Sequence, residues 1–556
     1  MGEKIRLFME DWLFNSGLVG FYNILNHSED EVLVKDNYIE FDAQSLIGFE
    51  EKYFSYLISK YKDILSINKI VTFKQFIYYY EDNSYEEFNE DSLGILNEYI
   101  SKVLKKQLKS NSYKSAYKLV NSPIDLLEME KKLKPIRIRK GQTLLDVLEE
   151  VKDKIKTIKK TISYMEQEES IKYIGAKNVM YTVMKNGWNG VSFLNPQTKE
   201  KDMYIDYNNQ FIKPAIEYLE TDRSKFKFKC YSCGQEMKNF SNDLSFMNAT
   251  GFDTNRKTSH VWNFQNDVAV CPLCKLIYSC VPAGITYLYD TGIYINDNTN
   301  MKSAIDTNKK IYMETYKQNT EAKMLTYRSL VEAINEKYID RMKHELADIQ
   351  LVRYENEKYK FNILSRNALR LIRDSKKDLD KLTRCSYKEV STYFNVYELV
   401  IDRLLNNQNM FTLIQKLLYY KISQPRDSYY HASHIIRILK INTKYLREAG
   451  YMDKEEKDIV RLGNVSGYYL RNGYRDKGAV DKLSGISYRL LNSLKTNNPS
   501  SFMDTVLNCY LYIKAPVPNI FLDTLRNEES FKTIGYAFVA GLIEGNNEMG
   551  GKADDK

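Results

Sequence analysis

Hydrophobic residues recur at helical spacing most clearly between residues 144 and 162. The steps between successive apolar positions alternate between four and three residues, at Leu144, Leu148, Val151, Ile155, Ile158 and Ile162. This spacing places every member on one side of an α-helix. The lysines of the same stretch fall off that stripe. We therefore predict a long amphipathic helix that packs on a core and exposes a basic face.

The first forty residues predict a helix followed by a hairpin. Apolar positions from about Ile5 to Leu25 fit an amphipathic helix. Two short apolar runs, Val32–Val34 and Tyr38–Phe41, flank a polar turn at residues 35–37. That arrangement is typical of two paired β-strands.

A basic segment at residues 134–140 alternates apolar and charged side chains. Ile136 and Ile138 occupy one side of the alternation, and Arg137 and Arg139 occupy the other, beside Lys140. A period of two predicts a half-buried strand with an outward cationic face.

The second half of the chain reads as helical. Residues 300–405 are polar and charged, and compact amphipathic helices follow to about residue 545, one of them closed by Gly450. Two CxxC pairs within residues 226–290 are typical of a zinc-binding module. We expect an α+β, predominantly helical, multi-domain fold with this zinc module inserted. The expected segments are an N-terminal α+β domain (1–225), a four-cysteine zinc-binding module (226–290), a helical continuation (291–405) and a C-terminal helical bundle (406–556) whose last twelve residues fray.

Length and composition agree with a multi-domain globular protein. The chain has 556 residues, of which 43% are hydrophobic, so two to four domains are expected. Acidic residues interrupt the N-terminal apolar stretch, which argues against a signal peptide. No apolar run approaches the ~18 residues that a membrane crossing needs. We expect a cytoplasmic protein without a membrane partner.

Positive charge is concentrated in one stretch. The formal net charge of the chain is +8, whereas residues 101–160 carry 17 Lys and Arg against 7 Asp and Glu. A basic block of this kind is typical of a phosphate-contacting surface. A solvated lysine-rich face is the alternative, because the whole sequence is rich in Lys, Asn, Ile and Tyr.

The clearest chemical motif is a pair of CxxC sequences. Cys230 and Cys233 form the first pair, Cys271 and Cys274 the second, with 37 residues between them. Two such pairs predict one tetrahedral, structural Zn²⁺ site whose four thiolates leave no open coordination position. The gap exceeds the usual spacing, so the insertion must loop out between the pairs.

Other interpretations of the cysteines remain open. They could be unrelated buried residues or redox groups, and His260 or Cys280 could replace a ligand. We expect Cys280, Cys385 and Cys509 to behave as small buried hydrophobic residues.

Known catalytic signatures are missing from the sequence. The five histidines form no HD pair or HExxH motif, and there is no phosphate-binding GxxxxGK[ST] loop. We expect a non-catalytic protein, although carboxylates brought together only by folding could form a nuclease site.

Three stretches carry a resemblance to a known family. They are the opening MEDWLFNSGLVGFYNIL, the mid-chain CYSCG with CPLCKLIYSCVPAGI, and the segment GISYRLLNSLKTNNPSSFMDTVLNCYLYIKAPVP. Together they resemble the Cst-type large subunit of the type I-B CRISPR Cascade complex, the Cas eight b family. The resemblance extends over nearly the whole chain.

The resemblance implies a function and a set of partners. Such a subunit helps to assemble the guide-RNA complex, beside the backbone subunits and the subunit that holds the 5′ handle. It checks the protospacer-adjacent motif, helps to open target double-stranded DNA, and recruits a helicase-nuclease for antiviral defence. In such complexes base pairing reads the sequence and protein reads the short flanking motif.

Two groups of residues are candidates for nucleic-acid contact within this framework. The loop at 185–190 offers Lys185, Asn186, Trp188 and Asn189, since amides can read base edges and an indole can wedge or stack. An ordinary turn with a packed Trp188 is the alternative.

The C-terminal bundle is the second group. In this family it can resemble a small subunit that is made separately from an internal start, for which Met410 and Met452 are the candidates in this chain. Its candidate phosphate contacts are Arg437, Lys440, Lys444 and Arg447, unless these form only a solvated face.

Two rival functions remain. One is a zinc-containing nuclease or transposition enzyme, which would need an Asp/Glu/His cluster. The other is a zinc-bearing RNA-binding scaffold outside CRISPR systems, which shares the zinc site and basic block but not the three stretches above.

Overall fold

The computed structural model describes residues 4–250, 268–316, 349–453 and 458–544. The chain forms two compact units. The first comprises Met1–Tyr312 and Gln350–Phe361, and the second comprises Met313–Ile349 and Asn362–Lys556. The α+β, predominantly helical fold class is confirmed. The division into four segments stays a prediction. The expected fraying at 545–556 lies outside the described residues.

The first unit is built mainly of helices. Its helices are α1 (Trp12–His27), α2 (Phe49–Tyr61), α3 (Ser66–Val71), α4 (Lys74–Asp82), α5 (Glu90–Glu98), α6 (Lys105–Leu108), α7 (Asn111–Tyr117), α8 (Leu126–Lys132), α9 (Leu144–Met165), α10 (Glu168–Val179), α11 (Lys185–Gly187), α12 (Met203–Tyr207), α13 (Lys213–Glu220), α14 (Pro272–Ser279), α15 (Val281–Gly284) and α16 (Met301–Tyr316). Its strands form a sheet of order β1-β3-β2, a β4-β5 pair and a sheet of order β6-β7-β8-β9. They are β1 (Lys4–Phe8), β2 (Val32–Val34), β3 (Tyr38–Asp42), β4 (Phe228–Lys229), β5 (Glu236–Met237), β6 (Thr286–Leu288), β7 (Thr291–Asp297), β8 (Ile349–Glu355) and β9 (Lys358–Leu364).

The expected hairpin is confirmed, but the N-terminal helix begins later than predicted. β2 and β3 pair antiparallel, with Val32 opposite Phe41. Ile5 and Leu7 alternate with exposed neighbours in β1, which pairs with β3. The helix begins only at Trp12, because the Asp11 carboxylate accepts the first free backbone N–H groups.

The long helix predicted from residue 144 is confirmed as α9. Val151, Ile155 and Ile158 are at most 1% exposed along it. The prediction of a strand at residues 134–140 is wrong. Both backbone hydrogen-bonding groups of Ile136 pair with the side-chain amide of Asn97, at 2.7 and 2.9 Å, so one side chain replaces a neighbouring strand.

Strands also occur where the sequence predicted only helices between 291 and 405. The β8-β9 hairpin turns at Asn356 and Glu357, whose φ angles are 52° and 58°. This turn lacks the Asn-Gly or Asp-Gly pair that most strongly marks a two-residue hairpin, which explains why the sequence did not reveal it.

The second unit combines a helical bundle with a small sheet. Its helices are α17 (Arg366–Asp374), α18 (Lys376–Asp380), α19 (Val396–Leu405), α20 (Phe411–Ser423), α21 (Ala432–Glu448), α22 (Ile459–Asp476), α23 (Lys482–Lys495), α24 (Pro499–Ile513) and α25 (Glu528–Glu544). The sheet has the order β11-β10-β12, with β10 (Ser386–Glu389), β11 (Thr392–Asn395) and β12 (Ser428–Tyr429). Gly450 has a φ of 80° just beyond α21, as its predicted capping role requires.

Along the described ranges, none of the helices has both the length and the apolar character for crossing a bilayer.

Candidate metal centre and its surroundings

The first CxxC pair lies in a tight turn between β4 and β5. The backbone N–H of Cys230 donates to Gln235 O at 2.8 Å, and the N–H of Gly234 donates to Cys230 O at 3.0 Å. Gly234 has a φ of 66°, a left-handed conformation that glycine adopts without strain. The turn therefore presents Cys230 and Cys233 on the same side.

The second pair lies at the start of α14. Cys271 is the N-cap residue, and its Sγ accepts a hydrogen bond from the backbone N–H of Cys274 at 3.4 Å. Pro272 occupies the first turn, where a missing N–H costs no helical hydrogen bond. Helix initiation thus fixes the spacing of these two sulfur atoms.

Folding brings the four sulfur atoms into one cluster. All four Sγ atoms lie within 4.8 Å of one another. Four thiolates at about 2.3 Å from a tetrahedral Zn²⁺ would lie about 3.8 Å apart. The Cys233–Cys271 Sγ separation is 3.7 Å, which matches this geometry. Cys230, Cys271 and Cys274 are buried and Cys233 is half-buried. The arrangement could hold one metal ion with four sulfur donors.

The four thiols of the cluster influence one another's ionisation. Hydrogen bonds from Cys233, Cys271 and Cys274 lower the pKa of the Cys230 thiol. Hydrogen bonding to Cys230, together with burial, raises the pKa values of Cys271 and Cys274. The thiols therefore resist full ionisation by themselves. A bound divalent cation would offset this resistance, because thiolate is the form that binds metal.

The remaining cysteines lie apart from the cluster. Cys280, Cys385 and Cys509 are buried and form no disulfide. Burial raises the pKa of the Cys385 thiol to about 12, and it also raises the pKa of Cys280. Both thiols are therefore protonated near neutral pH. His260 lies outside the described residues.

Helix α1 packs directly on α14, which carries the second cysteine pair, and on α15, which follows it. A Cβ atom on Gly20 would lie 2.1 Å from the carbonyl oxygen of Cys280. One on Gly17 would lie 2.4 Å from that of Ile277. Backbone therefore meets backbone, and the metal centre is anchored on the core of the first unit.

Trp188 supports the other side of α14. The indole is 0% exposed, and its Nε1 donates to Ser279 O at 3.0 Å. The hydroxyl of Tyr53 donates to the same carbonyl at 2.8 Å. The expectation that Trp188 wedges or stacks against a base needs correction, because no face of its ring is accessible. Its side chain packs in the core instead.

The rest of the 185–190 segment borders a cavity of about 650 Å³. Its first half is helical, as α11, and not the predicted loop. Asn186 is 6% exposed, and its Nδ2 donates to Tyr289 O at 2.6 Å. Lys185 and Asn189 are exposed on the cavity wall. Tyr181 and Tyr289, 48% and 43% exposed, line the same cavity. Aromatic, amide and ammonium groups therefore converge on one opening.

A buried lysine closes the end of α15. Lys60 is 7% exposed, and its Nζ donates to Ala283 O at 2.7 Å and Ile285 O at 3.1 Å. Burial lowers the pKa of Lys60 to about 7. Its Nζ lies 5.2 Å from the ring centroid of Tyr61. These contacts satisfy carbonyl groups that the short helix leaves unpaired.

Ion pairs neutralise part of the basic stretch 101–160. Lys105 and Lys109 approach the buried carboxylate of Glu130, at 3.6 and 3.0 Å. Three exposed cations near the segment held by Asn97 have no ion-pair partner in the part of the chain that is described: Arg137, Arg139 and Lys140. These three are the more available of the predicted phosphate contacts.

The cations of α21 face helices α17 and α18. Arg437 Nη1 lies 3.1 Å from Asp378 Oδ1, and Lys444 Nζ donates to Asp374 O at 2.8 Å. Lys440 is half-buried on the same helix. A cavity of about 460 Å³ is lined by Arg370, Arg373, Asp374, Lys444, Arg447 and Glu448, with Leu371. The sequence analysis missed Arg370 and Arg373, because only folding brings α17 beside α21.

Comparison with known proteins places the metal centre in a recognised family segment. Residues 223–286 match the model of a family described as CRISPR-associated protein (Cas_CXXC_CXXC). The matched segment contains all four clustered cysteines and helices α14 and α15. No curated protein and no solved structure matches the chain. The part of the chain that builds the metal centre is therefore similar to a CRISPR-associated protein family.

Proposed function

We propose that this chain is the non-catalytic large subunit of a type I-B CRISPR Cascade effector, acting in the cytoplasm. The observation that carries the proposal is the four-cysteine cluster, which lies in the segment similar to a CRISPR-associated family. Helix α1 packs against the helices of that segment, so two of the three stretches that resemble the Cascade subunit form one structural element.

The metal in this proposal is a structural Zn²⁺. The four sulfurs would complete its tetrahedral shell, so no coordination position would remain for water or substrate. Zn²⁺ would supply rigidity and four fixed metal–sulfur bonds. The chain itself would contribute the surfaces around the site.

Nucleic-acid contact is assigned to the cationic and amide surfaces. Arg137, Arg139 and Lys140 would contact phosphates, since they are exposed and without ion-pair partners among the described residues. The side chains that line the cavity beside Asn189 would contact the base edges of the flanking motif in target DNA. Guide RNA, the backbone and 5′-handle subunits, the displaced strand and a helicase-nuclease are the partners in this account.

Affinity purification of the tagged chain from its native cells tests the proposal. We expect short repeat-derived guide RNA and the other Cascade subunits to co-purify with it. Co-purification with ribosomal or other non-CRISPR RNA would favour the scaffold alternative. Magnesium-dependent cleavage of DNA by the isolated chain would favour the nuclease alternative.

A further inference from the structure

The sheet of the second unit has one packed face and one open face. On the packed face, Tyr387 is 3% exposed, and its ring lies 5.2 Å from that of Phe394. Tyr387 is opposite Phe394 on β11 and opposite Ser428 on β12. Because side chains alternate along a strand, the neighbours of these residues point to the other face.

Two tyrosines dominate the open face. Tyr393 is opposite Lys388, and Tyr429 is opposite Ser386, so all four share one side of the sheet. Tyr393 is 60% exposed and Tyr429 is 49% exposed. Their ring centroids lie 6.0 Å apart. Two large aromatic rings therefore form a continuous accessible surface on rigid strands.

A cation lies beside one of these rings. Lys388 Nζ lies 5.7 Å from the ring centroid of Tyr393. Within the described ranges, Lys388 has no carboxylate at ion-pair distance, whereas its neighbour Glu389 pairs with Lys416 on the packed face at 2.8 Å. Arg426 and Asp427 precede β12. Along the chain, residues 362–453 carry 16 Lys and Arg against 9 Asp and Glu.

This combination fits an unpaired nucleotide better than a duplex or an apolar protein surface. Accessible rings can stack on base faces, which a double helix keeps covered by neighbouring bases. An ammonium beside a ring can contact the phosphate that links two stacked bases. An apolar partner would instead leave the ammonium of Lys388 buried without a counter-charge.

We propose that the open face of the β11-β10-β12 sheet is a stacking platform for a single nucleic-acid strand, with Tyr393 and Tyr429 holding bases and Lys388 contacting the backbone. This assignment rests on the proposed nucleic-acid function and adds a site that lies outside the metal centre and the α21 cations. Because a ring can stack on the face of any base, binding at this platform should depend little on base sequence.

Binding of two fluorescein-labelled strands by the full chain tests the platform. One strand is a short oligothymidylate, and the other is an abasic strand of the same length and charge. The wild type should bind oligothymidylate more tightly. Tyr393→Ala with Tyr429→Ala should weaken that binding at least about tenfold and leave abasic binding unchanged.

Three further variants separate stacking from other effects. Tyr393→Phe with Tyr429→Phe keeps both rings and should bind like the wild type. Tyr393→Leu with Tyr429→Leu keeps apolar bulk without rings, so it should lose base-dependent binding even if the alanine variant unfolds. Tyr469→Ala removes a tyrosine that is 63% exposed elsewhere in the unit and should change nothing.

The outcomes are distinguishable. Equal affinity of the wild type and the leucine variant for oligothymidylate would overturn the platform while leaving the proposed function standing. Failure of the wild type to bind either strand would overturn the platform, and absence of guide RNA after purification would separately overturn the proposed function. The wild type could instead form a dimer that is lost only in the variants without the two rings. That result would show that this face binds a second copy of the chain, and it would overturn the proposal.

Discussion

A Cβ atom on Gly284 would lie 1.8 Å from the carbonyl oxygen of Ser16. The backbones of α1 and α15 therefore touch, and no residue with a side chain fits at that position in this packing. Because α15 follows directly from α14, the contact links the N-terminal helix to the helix that carries Cys274. The metal centre and the N-terminal core are thus parts of one packed structure.

This contact predicts that one added methyl group at residue 284 strongly destabilises the folded chain. Gly284→Ala should lower the free energy of unfolding by about 3 kcal/mol or more, because the obstacle is a backbone atom that cannot rotate away. Chemical denaturation of the full chain measures the change.

Gly94→Ala is the matched control. Gly94 is an exposed residue of α5, and an added Cβ would meet nothing within 4 Å. That substitution should raise stability by about 0.5–1 kcal/mol, since alanine loses less backbone entropy in a helix. Equal effects at the two glycines would contradict the packing.

The metal centre predicts a sharp difference between two buried cysteines. Cys271→Ser removes one of four sulfur donors, so the purified chain should lose its bound metal and melt at a lower temperature. Cys280→Ser changes a buried thiol just beyond α14 that lies outside the cluster, and it should keep one metal ion per chain. Metal analysis with thermal melting measures both. Loss of metal from both variants to the same extent would contradict the ligand assignment.

Local patterns in the sequence were sufficient to predict the cysteine cluster and α9. Each cysteine pair is fixed by its own turn, so only the meeting of the two pairs required folding. The strand β1 escaped prediction because five alternating residues precede Asp11 without a turn signal, and their apolar positions merge with those of the helix. The strand predicted around Ile136 does not form, because the side-chain amide of Asn97 makes both backbone hydrogen bonds that a neighbouring strand would have made.

Long-range contacts set the rest of the candidate site. Trp188 is buried because Phe193, Phe211 and Phe246 pack around its ring. Its indole N–H donates to Ser279 O, 91 residues further along. The pairing of Arg437 with Asp378 likewise depends on how α18 lies on α21. Neither relationship can be read from local spacing, so the sequence left two interpretations of Trp188 open, a base-contacting ring and a packed ring, and the structure shows the packed one.

Lys60 predicts an unusual dependence of stability on pH. Its pKa is about 7 in the folded state, against about 10.4 in an unfolded chain. Between these values the unfolded state binds one more proton. The contribution of this group to the free energy of unfolding therefore rises with pH across the window, by about 1.4 kcal/mol per pH unit near its middle.

Comparison with Lys60→Met isolates that contribution. The difference in unfolding free energy between wild type and variant should change with pH from 7 to 9.5, in favour of the wild type as pH rises. The buried tyrosines are present in both chains, so their titration cancels. A difference that stays constant over this range would contradict a neutral Lys60 in the core.

Asn189 and Trp188 should respond differently to substitution. Asn189→Ala removes an exposed amide at the cavity and should reduce discrimination between flanking motifs about tenfold, with stability changed by less than about 0.5 kcal/mol. Trp188→Ala should instead destabilise the chain by about 3–5 kcal/mol, because it empties a buried site. Binding of the assembled complex to duplexes with altered flanking motifs measures the first effect. Unchanged discrimination in Asn189→Ala would remove Asn189 from the reading surface.

X-ray absorption at the zinc edge of the purified full chain tests the central claim most directly. The account predicts one zinc ion per chain with four sulfur neighbours at about 2.3 Å and no oxygen or nitrogen neighbour. A shell that contains water, histidine or carboxylate oxygen would contradict a closed structural site, and so would a folded chain that carries no zinc.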